Sequence, residues 1–396
     1  MRKFFLGLIA GAGAGYVAAR AVQAAALARR APCAISSDSA AYGRERRGLA
    51  VAGMLRSTLS TIAFAYGPVA PRIERVLEPL PRWVRPGAYF AALTLASSVL
   101  ELPVAFVEDY GVERRYGLSE QSAGAFLADW SKGTAISVVL AGSLALLGGI
   151  AIRRFRAWWP IVAALAMLPL FVLATLVVPL YVLPLFNRFE PLRGPLEARL
   201  RALAERFGVG DAEILRMDMS RQTKKANAFV AGLGSTHRIV LGDTLIDAFE
   251  PDEIAFVVAH ELGHYVSRDT WRMIGLAETV TAALLGLVGT GLRGDSAHDG
   301  VRLLRIAAWL GAGSMAIRPA INAYSRSREW AADRFALATT GDPRSGAAAF
   351  RRLRDQNLAE EEPPVWYEFL FASHPSLGKR IDALESSGVS WREPAS

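Results

Sequence analysis

The sequence predicts a mainly α-helical, polytopic membrane protein that also carries a polar unit built from helices and a small β-sheet. Three observations predict this fold class: several apolar runs long enough to cross a bilayer, a polar stretch at 185–273, and a histidine motif inside that stretch. The chain has 396 residues, of which 52% are hydrophobic. That share is high for a soluble protein of ordinary composition.

The apolar runs predict about seven transmembrane helices. A bilayer core requires roughly 20 apolar residues in each helix, and the candidate runs are 4–26, 48–70, 86–107, 134–152, 160–183, 274–292 and 303–323. The second run is the weakest, because Arg56 and several hydroxyl side chains interrupt it. The first begins like a signal peptide, but its apolar run continues past the usual length of a signal core, which favours a retained anchor.

The ends of these runs predict four regions. Residues 1–184 form an N-terminal membrane region of about five helices, 185–273 the first part of a polar domain, 274–323 a membrane hairpin, and 324–396 the second part of the polar domain. Within the polar domain, 226–231 and 238–241 alternate like two short strands around a Gly-Ser turn. Residues 251–266 begin with proline and two acidic side chains, which predicts a helix.

Charge and cysteine content limit the partners. The net charge is +8, but the arginines cluster at the ends of apolar runs, where they meet anionic lipid headgroups. We therefore expect the lipid bilayer, and no nucleic acid, to be the partner of these arginines. The single cysteine, Cys33, excludes both an intrachain disulfide and a cysteine-based metal site.

The stretch "FVVAHELGHYV" at 256–266 carries the clearest chemical signal. Side chains four residues apart share one face of a helix, so His260 and His264 can bind a single Zn²⁺ ion. Glu261 lies beside that face, where its carboxylate can take a proton from a water molecule that the metal activates. The pattern His-Glu-x-x-His on a helix is a signature of zinc metalloproteases. The alternative is a pair of buried structural histidines.

A catalytic zinc usually has three protein ligands, so a further ligand is required. The segment "SREWAADRFA" places Glu329 and Asp333 one helical turn apart. Glu329 can reach the metal, and Asp333 can accept a hydrogen bond from a ligating imidazole. The alternative is an ordinary acidic helix face. The histidine that follows His264 along the chain, His298, lies in the loop between the last two apolar runs, across the membrane from the motif. A carboxylate is therefore the better candidate for the third ligand.

The order of these motifs resembles the M48 metallopeptidases: "HELGH", then a hydrophobic hairpin, then "SREWAADRFA". Segments 107–133, 183–192 and 219–247 are similar to segments of the Ste24 branch, the integral-membrane CAAX prenyl protease type. The resemblance covers about residues 85–385. It implies seven helices that enclose a chamber, together with a gluzincin-type zinc protease domain.

The resemblance also implies a set of site residues. One Zn²⁺ ion is held by His260, His264 and Glu329; Glu261 and His374 are catalytic, with Asp333 in support; Asn227, Ala228 and Arg380 bind substrate. In this assignment Glu261 is the general base and His374 stabilises the oxyanion, with Arg380 close to it. The strand that begins near Asn227 pairs with an extended substrate, as edge strands do in other peptide complexes.

We therefore expect a membrane-embedded zinc metalloendopeptidase that acts on a peptide or protein substrate, either prenylated or membrane-associated. The expected location is a bacterial inner membrane, with the catalytic domain toward the cytoplasm, although the arginine distribution does not decide the orientation. One alternative is a membrane-protein quality-control protease without CAAX specificity. Two others are a scaffold without activity and a polytopic transporter in which Glu101 and Asn322 line a path.

Overall fold

The structure is a computed structural model that describes residues 38–232, 236–292 and 299–390. Its N-terminal region is helical. The helices are α1 (Ser39–Tyr66), α2 (Val69–Val76), α3 (Arg85–Ala105), α4 (Val112–Arg115), α5 (Ala123–Phe155) and α6 (Trp159–Val177). A π-helical turn, Phe106–Gly111, joins α3 to α4.

The remaining elements follow in chain order. They are β1 (Phe189–Pro191), α7 (Pro195–Glu205), β2 (Glu213–Met217), β3 (Ala228–Ala231), β4 (Arg238–Gly242), α8 (Asp243–Ala248), α9 (Pro251–Val266), α10 (Asp269–Gly291), α11 (Asp299–Thr340), α12 (Pro343–Gln356), α13 (Val365–Phe371) and α14 (Leu377–Ser390). Helices α10 and α11 correspond to the predicted membrane hairpin at 274–323, and the other elements of this half correspond to the predicted polar domain.

Five helical stretches among the described residues are long and apolar enough to cross a membrane. One of them, Ala123–Leu185, is 63 residues long. It is interrupted at Arg156, whose backbone φ of 47° is not helical, so α5 and α6 count as separate spans. The helices α1, α3, α5, α6, α10 and α11 thus correspond to six of the seven predicted runs. The first predicted run, 4–26, lies outside the described residues.

Apolar side chains on these spans face outward. Leu100, Leu165 and Leu287 are between 68% and 72% exposed in the protein alone. Such exposure is unfavourable in water but is expected where a helix faces lipid tails. The charged residues near 317–324 predict that the last membrane helix emerges from the bilayer there. Helix α11 continues through this region without a break to Thr340. It ends where Gly341 adopts a φ of 65°.

The polar domain is built on a four-stranded sheet in the order β1-β2-β4-β3. The predicted strand pair, β3 and β4, is antiparallel. Strands β1 and β2 were not predicted; β2 lies parallel to β4, and β1 pairs antiparallel with β2. β3 begins at Ala228, two residues later than the predicted strand, and among the described residues it is one edge of the sheet.

The largest apolar core lies between this sheet and helix α9. The apolar face of α9 is buried, with Ile254, Val257, Val258 and Leu262 each at most 7% exposed. Side chains of α7, α12 and α14 complete the same core. Burial of one such side chain contributes roughly 1.5–3 kcal/mol. The core therefore holds α9 in a defined position, which determines where its histidines lie.

Candidate active site

Helix α9 carries the histidine motif in its last two turns. Pro251 occupies the first helical position, where its missing N–H costs nothing, and Glu253 Oε2 accepts a hydrogen bond from the Glu250 N–H at 2.9 Å. Directly after α9, Arg268 adopts a φ of 54°, and α10 starts at Asp269. This sharp junction returns the chain toward the histidines.

Three side chains converge on one point, and each offers one ligand atom within 4.8 Å of the other two. His260 Nε2 lies 3.2 Å from His264 Nε2 and 3.3 Å from Glu329 Oε2. His264 Nε2 lies 3.4 Å from Glu329 Oε1. Zinc binds nitrogen and oxygen at about 2.0–2.1 Å in tetrahedral geometry, which places ligand atoms about 3.3–3.4 Å apart. Each of these three distances matches the separation of two ligand atoms on one zinc ion, with a different Glu329 oxygen facing each imidazole.

The chemistry of these atoms also fits a divalent metal ion. Glu329 Oε2 is buried and makes no hydrogen bond of acceptable geometry to any described residue. Buried carboxylate oxygens without a partner are unfavourable unless a cation compensates them. Within the described residues, His260, His264 and Glu329 are the one group of three or more side chains with metal-ligand spacing.

Each imidazole is oriented by a carboxylate on its other nitrogen. His260 Nδ1 lies 2.9 Å from Asp333 Oδ1, and His264 Nδ1 lies 2.9 Å from Asp269 Oδ2. A proton on each Nδ1 leaves the Nε2 lone pair free to ligate a metal. The sequence analysis anticipated Asp333 but missed Asp269. The sequence did contain a signal for Asp269, because His264 also needs a carboxylate on its other nitrogen and Asp269 is only five residues beyond it.

Arg380 is directed at Asp333. Its Nε donates to Asp333 Oδ2 at 2.8 Å and its Nη2 to Asp333 Oδ1 at 2.5 Å, and its guanidinium stacks 4.0 Å above the centre of the Phe350 ring. The side chain is only 6% exposed. The structure thus shows a structural contact for Arg380, and its predicted role in substrate binding stays a prediction.

A cavity of about 270 Å³ opens over the three ligand atoms. Its walls include Asn227, Ala228, Glu261, His374 and Arg380, so the structure brings together every predicted site residue except Asp333, which lies behind His260. His374 Nε2 is 3.2 Å from Glu329 Oε1. The start of β3 forms part of the cavity wall. The predicted loop residue His298 lies outside the described residues.

The electrostatics of the site favour positive charge at the ligand atoms. Burial alone lowers the pKa of His260, but the nearby carboxylates of Asp333 and Glu329 outweigh it and raise this pKa to about 9. Burial raises the pKa of the Glu261 carboxyl above its ordinary value. A cluster of carboxylates in a partly desolvated cavity therefore stabilises a cation, as a metal centre requires.

This fold and this site define a membrane-embedded metalloprotease. Residues 192–387 match the family model of peptidase family M48, and residues 18–188 match the model described as CAAX prenyl protease N-terminal, five membrane helices. The chain belongs to peptidase family M48 and is a protease of the Ste24 type. Membership in a peptidase family favours the enzyme over the transporter hypothesis. The scaffold hypothesis, an inactive homologue of the same family, is disfavoured by the presence of the expected site residues around the cavity.

The chain is similar to curated proteins along most of its length. It is 28% identical over 337 residues to "Uncharacterized metalloprotease YhfN" of Bacillus subtilis, which covers 80% of this chain and 78% of that protein. It is 23% identical over 384 residues to CAAX prenyl protease 1 of Saccharomyces cerevisiae, which covers 87% and 84%.

A solved structure agrees with this fold. The crystal structure of S. mikatae Ste24p matches with a TM-score of 0.75 and 22% identity, covering 87% of this chain and 88% of that one. At this identity the likeness establishes the fold alone.

Proposed function

We propose that the protein is a zinc-dependent endopeptidase in which His260, His264 and Glu329 hold the metal ion. The observation that carries this proposal is the spacing of 3.2–3.4 Å between the two imidazole nitrogens and from each of them to one Glu329 oxygen. When bound, zinc polarises the scissile carbonyl and lowers the pKa of a water molecule.

The side chains around the cavity supply the remaining steps of hydrolysis. Glu261 takes the proton of the attacking water and passes it to the leaving amine. Its raised pKa brings the carboxyl closer to the pKa range in which it can both accept and return a proton. His374 donates a hydrogen bond to the negative charge that develops on the carbonyl oxygen. Asn227 and Ala228 begin the strand that binds the extended substrate.

The substrate class that we propose is a prenylated protein terminus of the CAAX type. The relatives named CAAX prenyl protease 1 in Saccharomyces cerevisiae and its homolog in Oryza sativa, 23% and 28% identical, support this class. The second substrate class, which the sequence analysis keeps as an alternative, is damaged or misassembled membrane proteins. Both substrates reach the enzyme from the membrane.

The experiment that tests the mechanism compares the wild type with Glu261→Gln on a farnesylated CAAX peptide and on an unfolded membrane-protein fragment. Bound zinc is measured in parallel by elemental mass spectrometry. We expect about one zinc per chain in both proteins and cleavage only by the wild type. Absence of zinc from the wild type, or equal cleavage by Glu261→Gln, would refute the mechanism. The preferred substrate separates the two classes.

We further propose that the protein lies in a bacterial inner membrane with its catalytic domain toward the cytoplasm. Because Cys33 is the single cysteine, a Cys33→Ser background allows one new cysteine at a time. A cysteine at the exposed position Glu362 reports on the catalytic side, and one at Arg72 reports on the opposite side. A membrane-impermeant maleimide added to intact cells should label only the second, and the reverse pattern would contradict the proposed orientation.

A further inference from the structure

Among the described residues, no strand pairs with the outer edge of β3, and this free edge presents alternate backbone groups toward the cavity. Gly242 N donates to Asn227 O at 2.9 Å, and Phe229 is paired with Val240, so these residues direct their N–H and C=O groups toward β4. In an antiparallel pair the intervening residues direct theirs to the other side. The backbone groups of Ala228 and Val230 therefore point to the edge on which an extended substrate can add as a further strand.

At Ala226, two residues before Ala228, a side chain already binds the backbone groups on this edge. The N–H of Ala226 donates to Asn357 Oδ1 at 2.8 Å, and Asn357 Nδ2 donates to Ala226 O at 3.2 Å. This reciprocal pair of hydrogen bonds is the one that two opposed residues of an antiparallel ladder exchange. The carboxamide of Asn357 thus occupies the position that a residue of the next strand would take.

The chain before Ala226 is closed in a similar way. The N–H of Lys224 donates to Leu118 O at 2.7 Å, and Gln356 Nε2 donates to Lys224 O at 2.8 Å. The backbone groups are therefore occupied at Lys224 and Ala226 and directed to the free edge at Ala228 and Val230. The boundary between the two lies beside Asn227 in the wall of the cavity.

Asn357 is held firmly in this position. It ends helix α12, and its N–H donates to Leu353 O at 3.1 Å. The next residue, Leu358, has a φ of 48°, a conformation that leucine adopts only where the surroundings enforce it. Here its side chain packs against the apolar cluster of Tyr42, Val112 and Leu118 from the membrane region. The carboxamide is consequently fixed to the rest of the molecule from both sides.

We propose that Asn357 is a positioning residue that ends the substrate strand at Ala226 and thereby sets how far the substrate extends beyond the scissile bond. This inference rests on the proposed function, because it requires that the substrate add to β3. A substrate strand can pair with Ala228 and Val230 but meets the Asn357 carboxamide at Ala226. The paired part of the substrate must end there, by a chain terminus or a turn.

The proposal makes a prediction about position as well as rate. Backbone pairing on one edge repeats every two residues, or about 6.8 Å, because the N–H and C=O groups of successive residues point to opposite edges of a strand. Removal of the carboxamide exposes one further pairing position at Ala226. The paired part of the substrate can then extend by two residues past Ala228 to Ala226. The fragment between the scissile bond and this end of the substrate therefore becomes two residues longer. A residue that merely stabilised α12 would change the rate or the stability and leave the cleavage position unchanged.

The test uses a 20-residue synthetic peptide with a different label at each end, in farnesylated and unmodified forms. Products of the full-length enzyme in detergent are mapped by mass spectrometry. For Asn357→Ala we expect a new major product whose terminal fragment is two residues longer, with KM changed more than kcat. Asn357→Ser, which keeps a polar residue at the helix end but cannot make both hydrogen bonds, should give the same shift and serves if the alanine variant fails to fold.

The neighbouring amide gives a matched control. Gln356 also binds backbone oxygens, those of Lys224 and Thr244, but does not pair with Ala226. Gln356→Ala should therefore cleave at the wild-type position. Cleavage by Asn357→Ala and Asn357→Ser at only the wild-type bond would overturn this inference and leave the proposed function intact. A wild-type enzyme that binds zinc but cleaves neither peptide would overturn the proposed function itself.

Discussion

Asp269 fixes the second histidine of the metal site from the first position of a membrane helix. Its Oδ2 lies 2.9 Å from His264 Nδ1, and its Oδ1 accepts a hydrogen bond from Arg328 Nε at 2.7 Å. The carboxylate is only 6% exposed. Because it binds both groups at once, it selects the His264 tautomer and holds the ring against rotation.

Loss of this carboxylate should weaken metal binding. We expect Asp269→Ala to raise the zinc dissociation constant by about 10–100-fold, the range found for such supporting carboxylates. Asp269→Asn should have a smaller effect, since its amide oxygen can still accept the bond from Nδ1. Chelator competition measures both constants, and added zinc should restore part of the activity. A zinc affinity that is unchanged in Asp269→Ala would show that the His264 ring is held by other contacts.

Arg380 allows a similar test, and this one separates its two possible roles. The guanidinium makes a two-pronged contact with Asp333, which a lysine cannot reproduce. If support of Asp333 is its role, Arg380→Lys should raise the zinc dissociation constant several-fold. If Arg380 acts only on substrate, as the sequence analysis predicts, KM should rise while zinc affinity stays at the wild-type value. Equilibrium dialysis with zinc and steady-state kinetics on the same preparation distinguish the two results.

At the scale of elements, the metal site depends on how closely α9 approaches α11. Gly263 lies between the two histidines at this contact, and a Cβ atom built on it would be 3.2 Å from both Ala332 Cα and Phe335 Cβ. A glycine here lets the helix with His260 and His264 lie against the helix with Glu329. The lack of a side chain at Gly263 thus contributes to the short distances between Glu329 and the two histidines.

A larger side chain at this contact should push the two helices apart. We expect Gly263→Val to lower the free energy of unfolding by about 1–3 kcal/mol, as overpacking usually does, and to weaken zinc binding at least as much as Asp269→Asn. Gly275→Val is the matched control, because a Cβ at Gly275 in α10 meets nothing within 4 Å. Thermal unfolding and zinc titration of the two variants give the comparison. Equal zinc affinity in both would mean that the α9–α11 contact can relax.

At the scale of the whole molecule, the proposed metal ligands connect the two parts of the polar domain across the membrane hairpin. His260 and His264 precede α10, and Glu329 comes from the far end of α11, after both membrane spans. The site therefore forms only when the hairpin has returned the chain to the same side. A bound metal ion ties these segments together.

Metal removal should consequently lower the stability of the whole protein. A ligand present at 100 times its dissociation constant stabilises the folded state by about 2.7 kcal/mol. We expect EDTA to lower the unfolding temperature of the wild type and zinc to restore it, while His264→Ala should show little response to either. Differential scanning fluorimetry in detergent measures this response. An equal response in His264→Ala would mean that zinc acts at another place.

Much of the fold and the catalytic motif could be predicted from short-range patterns. Apolar runs predict membrane helices because the bilayer imposes a minimum length, and the spacing of His260 and His264 predicts a shared helix face because the helical repeat is constant. The burial of Val258 and Leu262 follows from the same repeat. Strand β1 escaped prediction because it has only three residues, and β2 because its apolar residues do not alternate, since Ile214 and Leu215 are adjacent and both buried.

The sequence by itself determined the membrane spans, the helix with the histidine pair, and the types of side chain that a metal ion requires. The tertiary structure alone decided which carboxylate supports His264, where Arg380 is directed, and how Asn357 closes the edge of β3. The reason is physical. The first group depends on residues within a few helical turns, whereas each contact in the second joins residues on different elements whose approach is determined by the packing of the entire chain.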